Sequence, residues 1–329
     1  MSFDPELDQP YSGPFPASEP DFSENQMWNF YDGRYGFMFH VGSMPGDLQL
    51  WHNAVTVNCP DGTVLASKIV GRGGAGVFGA ASINSRTLKA YETFHIAFDA
   101  GMRRCRPEEL WTAPGADGVH VPVRVDLQIS AAHPVWEPGR DAGHSDTLFR
   151  TMARMHHEQA LVAEGVIVIE GETIEFKAVG HRDHSYGPRD FRKLLRGNWF
   201  NATFDSGWSF LTFWGEDASG VQERTAIFDQ GQIILGTTTH DGHLASLSAE
   251  PRMFHVGIQS EDGRNRRLSV RCLGGSSWFS PKMEWCLGTD LADPLTYLWR
   301  FDFAEFECEG ERGLGFIDRG SQAGLLAGG

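Results

Sequence analysis

The sequence predicts an all-β fold of antiparallel strands, and three observations predict it. Asp-Gly stands at 32–33, 61–62, 117–118, 241–242 and 262–263, each time between apolar or alternating runs, which is the pattern of hairpin turns. Glycine (39 residues) and aromatic side chains (12% of 329 residues, 10 Trp and 23 Phe among them) are abundant, a composition that suits twisted strands and tight connections. No alternation of strand and helix patterns runs along the chain, which argues against a doubly wound α/β fold. The length allows two domains or one large β domain.

The elements follow in order. The first twenty-odd residues, MSFDPELDQPYSGPFPASEPDF, are acidic and Pro-rich and read as a loose arm that orders on contact. Val166 to Ile169 is a β-branched run. After Glu170-Gly171, the residues Ile174, Phe176 and Ala178 alternate with Glu175 and Lys177, so the two runs form a hairpin. Trp208 to Trp214 is a strand with aromatics on both faces. Met253 to Gln259 and Arg267 to Leu273 flank Asp262-Gly263, and Leu298 to Glu307 with Gly313 to Asp318 makes a last hairpin. Two short helices are predicted, over Ser145 to Arg154 and over Pro188 to Arg196, the second with Pro near its start and basic residues toward its end. Pro134 to Gly143 is rich in Pro and Gly and reads as a boundary near residue 150. The halves on either side each suit one small barrel. The last ten residues, GSQAGLLAGG, read as a frayed tail.

Charge and cysteine usage exclude several function classes. With 28 Lys and Arg against 43 Asp and Glu, the net charge of -15 repels phosphate backbones, so nucleic acid is not an expected partner. No run of eighteen apolar residues and no signal peptide pattern is found, so a cytoplasmic chain without a membrane span is expected; a homodimer is left open. The five cysteines, at 59, 105, 272, 286 and 308, include no C-x-x-C pair and read as small buried hydrophobes rather than a disulfide framework or a zinc site.

Three motif-like strings read as decoys. Gly71-Arg72-Gly73-Gly74-Ala75-Gly76 fits G-x-G-x-x-G, but no helix pattern follows to offer its N-terminus to a pyrophosphate. His240-Asp241-Gly242-His243 reads as a hairpin turn rather than a metal site. His156-His157-Glu158 puts neighbours on opposite faces of a strand, where they do not chelate together.

The densest group of reactive side chains is Gly180-His181-Arg182-Asp183-His184-Ser185-Tyr186-Gly187-Pro188-Arg189-Asp190. A metal site through His181, Asp183 and His184, or a Ser–His–Asp triad, requires convergence that adjacent residues of an extended chain do not achieve. Two readings remain. In one, Asp183 and His184 act as general acid and base in a largely apolar cavity, their charge biased by nearby Arg. In the other, the segment is a polar plug whose Asp and Arg side chains satisfy loop backbone groups and lock the halves together.

The run His157-Glu158-Gln159, the hairpin through Val168 to Gly171, and Gly180-x-Arg182-Asp183-His184-Ser185-Tyr186-Gly187-Pro188-Arg189-Asp190 resemble a bacterial family with the pattern E-Q … G-x-R-D-H-S-W-G-x-R-D. That family is similar to the hydroxyneurosporene synthase (carotenoid 1,2-hydratase) and AttH group, and more distantly to kievitone hydratase-like proteins and some fungal Diels–Alderases. The resemblance is specific over residues 156–190 and looser at Gly36 to Val70 and at Gly313-x-Gly315. Tyr186 departs from it, standing where the family has Trp and adding a hydroxyl to an aromatic wall.

The resemblance implies two consecutive lipocalin-like, calycin-type antiparallel β-barrels. The expected organisation is an arm over 1–25, a first barrel over 26–150, a second barrel over 151–319 carrying the Arg182-to-Gly187 segment, and a tail over 320–329. It also implies a cofactor-independent hydratase, dehydratase or cyclase acting on a small hydrophobic terpenoid, steroid-like or aromatic molecule, with no bound metal. The alternative is a non-enzymatic carrier of such a molecule. Asp183 is then the expected acid/base and His184 its partner. Arg182 and Arg189 bias their charge, Glu158 pairs with one of these arginines, and Tyr186 lines the pocket. Trp51, Trp208 and Phe210, with Trp199 and Trp214, supply aromatic walls.

Overall fold

The computed structural model describes residues 3–112, 118–141, 153–188, 193–243, 252–280 and 293–326. It is all-β: among the described residues seventeen strands are accompanied by single helical turns at Pro5–Asp8, Glu109–Thr112, Pro138–Asp141 and Ala323–Leu325. Among the described residues no helix is long and apolar enough to cross a membrane.

The chain divides into two compact units, one of Met1–Cys105 with Asp117–Arg189 and one of Arg106–Ala116 with Asp190–Gly329. The first unit holds β1 (Phe22–Tyr31), β2 (Gly36–Met44), β3 (Asp47–Asn58), β4 (Val64–Arg72), β5 (Ile83–Lys89), β6 (Thr93–Cys105), β7 (Val119–Ala131), β8 (Met155–Ile169) and β9 (Glu172–Pro188). Their order in the sheet is β4-β3-β2-β1-β9-β8-β7-β6-β5, and β4 also pairs with β6, which closes eight of them into a barrel with β5 hairpinned on β6. The alternation is plain in β7, where Val121, Val123, Val125, Leu127 and Ile129 face the core and their neighbours face water. β1 is buried along its whole length, on both faces.

The second unit is a closed antiparallel barrel of β10 (Arg196–Phe204), β11 (Ser209–Asp217), β12 (Gly220–Asp229), β13 (Gln232–His240), β14 (Met253–Ser260), β15 (Asn265–Ser280), β16 (Tyr297–Cys308) and β17 (Glu311–Gln322). Its core is built from Phe200, Phe204, Phe210, Phe254, Phe306 and the aliphatic residues between them.

The expected domain boundary is corrected. β8 and β9 belong to the first barrel, and the division falls at residue 189 rather than near 150. The described part of the Pro- and Gly-rich stretch, through Asp141, follows β7 in the same sheet as β8, and Trp136 in it bridges to Glu158. A hairpin reveals its own two strands but not which distant strand it joins, and β9 pairs with β1, far back in the chain.

Other expectations divide. Asp32-Gly33, Asp61-Gly62 and Asp262-Gly263 turn hairpins, each glycine at a positive φ of 83 to 90°. Asp241-Gly242 does not: β13 ends at His240 and β14 starts only at Met253. No helix follows Gly76, as expected. The predicted helix over Ser145 to Arg154 falls largely outside the described residues. Residues 189–192 of the other predicted helix lie outside them too, and its ends belong to β9 and β10. The tail is not frayed through 326, because β17 carries Gly320 and Ser321 into the buried wall. Cys59, Cys105, Cys272 and Cys308 are free thiols, and Cys286 lies outside the described residues.

Candidate functional site

The Arg182-to-Gly187 segment is the second half of β9, held between β8 and β1. Neighbouring side chains on a strand point to opposite faces, so the segment presents two different chemistries. Arg182, His184 and Tyr186 point into the first barrel with Gln159 and His157 of β8. His181, Asp183 and Ser185 point outward with His156 and Glu158.

The inner face is a polar layer whose charged groups face counter-charges. Arg182 is 1% exposed, and its Nη1 lies 2.7 Å from Oδ1 of Asp8, which is 0% exposed. Its Nε and Nη2 donate to Gln159 Oε1 at 3.1 and 2.9 Å, and its guanidinium lies 4.1 Å from the centre of the Phe94 ring. The second oxygen of Asp8 accepts the backbone N–H of Tyr91 at 2.6 Å. One step along β9, His184 Nε2 is 2.9 Å from Glu24 Oε1, and both oxygens of Glu24 accept the Tyr11 N–H, at 3.0 and 2.9 Å. The N-terminal arm, expected to be ordered on contact or loose, is ordered here: it supplies Asp8 to Arg182 and the Tyr11 N–H to Glu24. A buried guanidinium needs such partners, because leaving it unpaired in a low dielectric is costly.

The outer face gathers a different set. His156 Nε2 lies 2.9 Å from Glu158 Oε1 and 3.5 Å from Asp183 Oδ2, with His181 Nε2 3.7 Å from the other Glu158 oxygen. The Ser185 hydroxyl donates to Asp183 Oδ1 at 3.1 Å. The side chain of Glu158 is 1% exposed, whereas His156 keeps 14% and Asp183 21%. Burial works against a charge on His156, but the carboxylates of Asp183 and Glu158 outweigh it and hold its pKa up at about 10. His181 goes the other way: burial, with His133 and Arg182 beside it, pushes it down to about 3 and keeps it neutral. The ligand atoms of His156, Glu158 and Asp183 lie within 4.8 Å of one another, so these are the residues that could close on a metal ion. Met27 and Trp136 flank the row, opposite Asp183 and Glu158 respectively.

The expected site residues are thus only partly assembled. Asp183 and Glu158 come together, opposite each other across β8 and β9. Asp183 and His184 do not, since they face opposite sides of the sheet. Glu158 pairs with His156 and His181 rather than with an arginine, and Arg182 pairs with Asp8. Arg189 lies outside the described residues. Tyr186 is on the inner face, its ring 5.2 Å from that of Tyr11. Trp51 is core of the first barrel, edge-on to Phe78. Trp208 and Phe210 are in the other barrel, where Trp208 stacks 3.9 Å from Phe204 and Phe210 meets Phe306 edge-on. Trp199 packs on Phe316 and Trp214 on His243, also in the second unit. Sequence reasoning missed His156, His181, Asp8 and Glu24. The spacing His156-x-Glu158 carried the signal for the first, because residues two apart on a strand share a face.

The fold is shared with proteins of known structure. A protein described as an AttH candidate from Nitrosomonas europaea matches with a TM-score of 0.62 at 12% identity, over 93% of this chain and 94% of that one. CghA matches with a TM-score of 0.56 at 11% identity in its structure with Sch210972, and with 0.55 at 10% without it, each over 94% of this chain and 90% of that one. These likenesses confirm the two-barrel, lipocalin-like architecture. A comparison with curated proteins finds no match. Residues 9–321 match the model of one family, so the chain is a member of the family described as a domain of unknown function, DUF7064.

Proposed function

We propose that this chain is an acid/base enzyme, a hydro-lyase or isomerase acting on a small hydrophobic terpenoid, steroid-like or aromatic substrate, with Asp183 and His156 as its proton-handling pair. The observation that carries the reading is their convergence with Glu158 on the outer face of β8 and β9, where both remain partly open to solvent while Glu158 is sealed beneath them. The likeness to CghA, one structure of which holds Sch210972, supports an organic molecule as the ligand.

The geometry divides the labour. A cation beside Asp183 favours its ionised form, so Asp183 is the base. In a dehydration it takes the proton from a carbon next to the C–O bond. The C–H electron pair becomes the double bond, and the departing hydroxyl leaves as water with the proton of the His156 imidazolium. Once Asp183 is protonated, His156 has lost one of its two stabilising carboxylates and becomes a readier donor. Transfer of the proton from Asp183 to His156, 3.5 Å away, resets the pair. Hydration runs the same steps backward. Glu158 touches no substrate in this scheme and acts as a positioning residue.

The test incubates the full chain in D2O with a panel of terpenoid, steroid and aromatic alcohols and enones, read by mass spectrometry for gain or loss of water or uptake of deuterium. Turnover by the wild type that is lost in folded Asp183→Asn and His156→Ala supports the reading. Retained turnover in Asp183→Asn overturns it. Binding without turnover across the panel leaves the chain a carrier. Stoichiometric divalent metal that co-purifies with the wild type and is lost from His156→Ala replaces proton transfer with metal-assisted hydration.

A further inference from the structure

In β11, β12 and β13 of the second barrel the inward-facing residues divide into a buried and a partly exposed set. Inward-facing Phe210, Ile227, Val256 and Ile317 are fully buried, whereas Trp214, Glu223, Thr238 and His240 also point inward yet keep part of their surface. The partly exposed set lies toward the end of the barrel where β11 ends and β12 starts, and barrel mouths are favoured ligand sites.

What lines this mouth is a set of hydrogen-bond acceptors and rings. Asn198, Trp214 and Glu223 form one inward row across β10, β11 and β12. Asn198 is 3% exposed, and its Nδ2 donates to His243 Nδ1 at 2.9 Å. Its Oδ1 and both ring nitrogens of His240 are buried and find no hydrogen-bond partner among the described residues. A buried polar atom of this kind calls for a partner, which a bound molecule or water can supply. Burial, with His243 beside it, depresses His240 to about 3, so its ring is neutral and offers a lone pair. Glu223 carries no ion pair among the described residues, and burial raises its carboxyl pKa. Its partners are the hydroxyls of Thr225 and Thr238. Arg224 next to it faces the outer side, and Arg319 beside Asn198 is turned 2.6 Å from Asp302. The rings of Trp214 and His240 lie 5.9 Å apart and edge-on, with the His243 ring 4.4 Å from the first and 4.2 Å from the second.

We propose that the mouth of the second barrel binds a small organic ammonium ion, held by Glu223, Asn198 Oδ1 and the acceptor nitrogen of His240, beside the partly exposed Trp214. An ammonium group supplies donors to the orphaned acceptors and a counter-charge to the half-buried carboxylate. Its organic part lies beside Trp214.

Calorimetry on the full chain tests the site with benzylammonium, using benzyl alcohol and benzoate as neutral and anionic comparators of similar size. Benzylammonium is expected to bind saturably, with both comparators weaker by about tenfold or more. Glu223→Gln is expected to weaken it by a similar factor, while Glu164→Gln, which removes an exposed carboxylate elsewhere, leaves it unchanged. Failure of benzylammonium to saturate, comparators that bind as tightly, or equal losses in the two Gln variants would each overturn the proposal. If Glu223→Gln does not fold, His240→Gln takes its place and the wild-type charge series decides.

Discussion

The two faces of the β8–β9 hairpin carry almost the same residue types and do opposite things with them. On the inner face Arg182 is matched to Asp8 and Gln159, His184 to Glu24, and Gln159 donates to the carbonyls of Tyr91 and His133, all within hydrogen-bond distance. On the outer face two carboxylates crowd one imidazolium and two of the three keep solvent contact. Polar residues that are buried and satisfied hold a fold together. Polar residues that are concentrated, electrostatically coupled and reachable are equipped for chemistry. The inner face thus has the character of a plug, and the outer face is the one on which the proposed pair of Asp183 and His156 stands.

The largest effect is expected on the inner face. Arg182→Ala leaves the carboxylate of Asp8 buried with no cation beside it, and breaking a buried pair from one side costs about 3–5 kcal/mol. Urea unfolding of the variant should show that loss, and Asp8→Asn in the same chain should recover part of it, because the orphaned charge goes too. A loss under about 1 kcal/mol would mean that the arm does not stopper the barrel and that the inner layer is dispensable.

Next in size, and opposite in kind, is Asp183→Asn. Removal of a general base lowers kcat/KM by about 10²–10⁴, and Tm falls only by the part of the His156 stabilisation that the Asp183 carboxylate supplies. His184→Gln, one residue on, is expected to lower Tm and leave kcat per folded molecule unchanged. If the two variants exchange these outcomes, the assignment of the faces is reversed.

A smaller effect sharpens the outer face. His156 is raised to about 10 from an ordinary 6.5, so its contribution to stability is whole below pH 6.5 and is lost as pH rises toward 10. His181, lowered to about 3, stays neutral while the unfolded chain takes up a proton, so its share is lost as pH falls from 6.5 toward 3. Melting temperatures measured from pH 5 to 10 should decline on the alkaline side in the wild type. The decline should be shallower in His156→Asn. An unchanged alkaline limb in that variant would show that His156 is not held charged by its two carboxylates.

Much of this site was legible in the residues. Glu170-Gly171 was read as a two-residue turn, and in such a hairpin each residue pairs with the one equally far beyond the turn, which sets Glu158 opposite Asp183. Period-two alternation then puts His156 on their face and His184 on the other. The missing step was to carry the register from the turn outward to residues 156–158. What was not legible is long-range. Nothing in Phe22–Tyr31 states that it pairs with β9, so the hairpin was assigned to the wrong barrel. Likewise nothing in the acidic arm announces that Asp8 is the counter-ion of Arg182, because the pair joins residues far apart in the chain through a closed sheet. Local patterns specify turns and faces, while sheet closure depends on the sum of many distant pairings.

The smallest expected effect is at Tyr186, where the family resemblance has Trp. The side chain points to the inner face, half-buried, its ring 5.2 Å from Tyr11 and 6.0 Å from Phe22. Burial and the neighbouring Tyr11 raise its phenol pKa, so the hydroxyl keeps its proton at any working pH. A ring in that setting is a wall, and its value lies in the contact area that Phe preserves. Tyr186→Phe should therefore change stability by no more than about 0.5 kcal/mol and leave kcat/KM within about twofold of the wild type. A tenfold fall in kcat with unchanged stability would make the hydroxyl a proton relay. Because Tyr186 shares its face with His184 and not with Asp183, that result would move the chemistry to the inside of the first barrel.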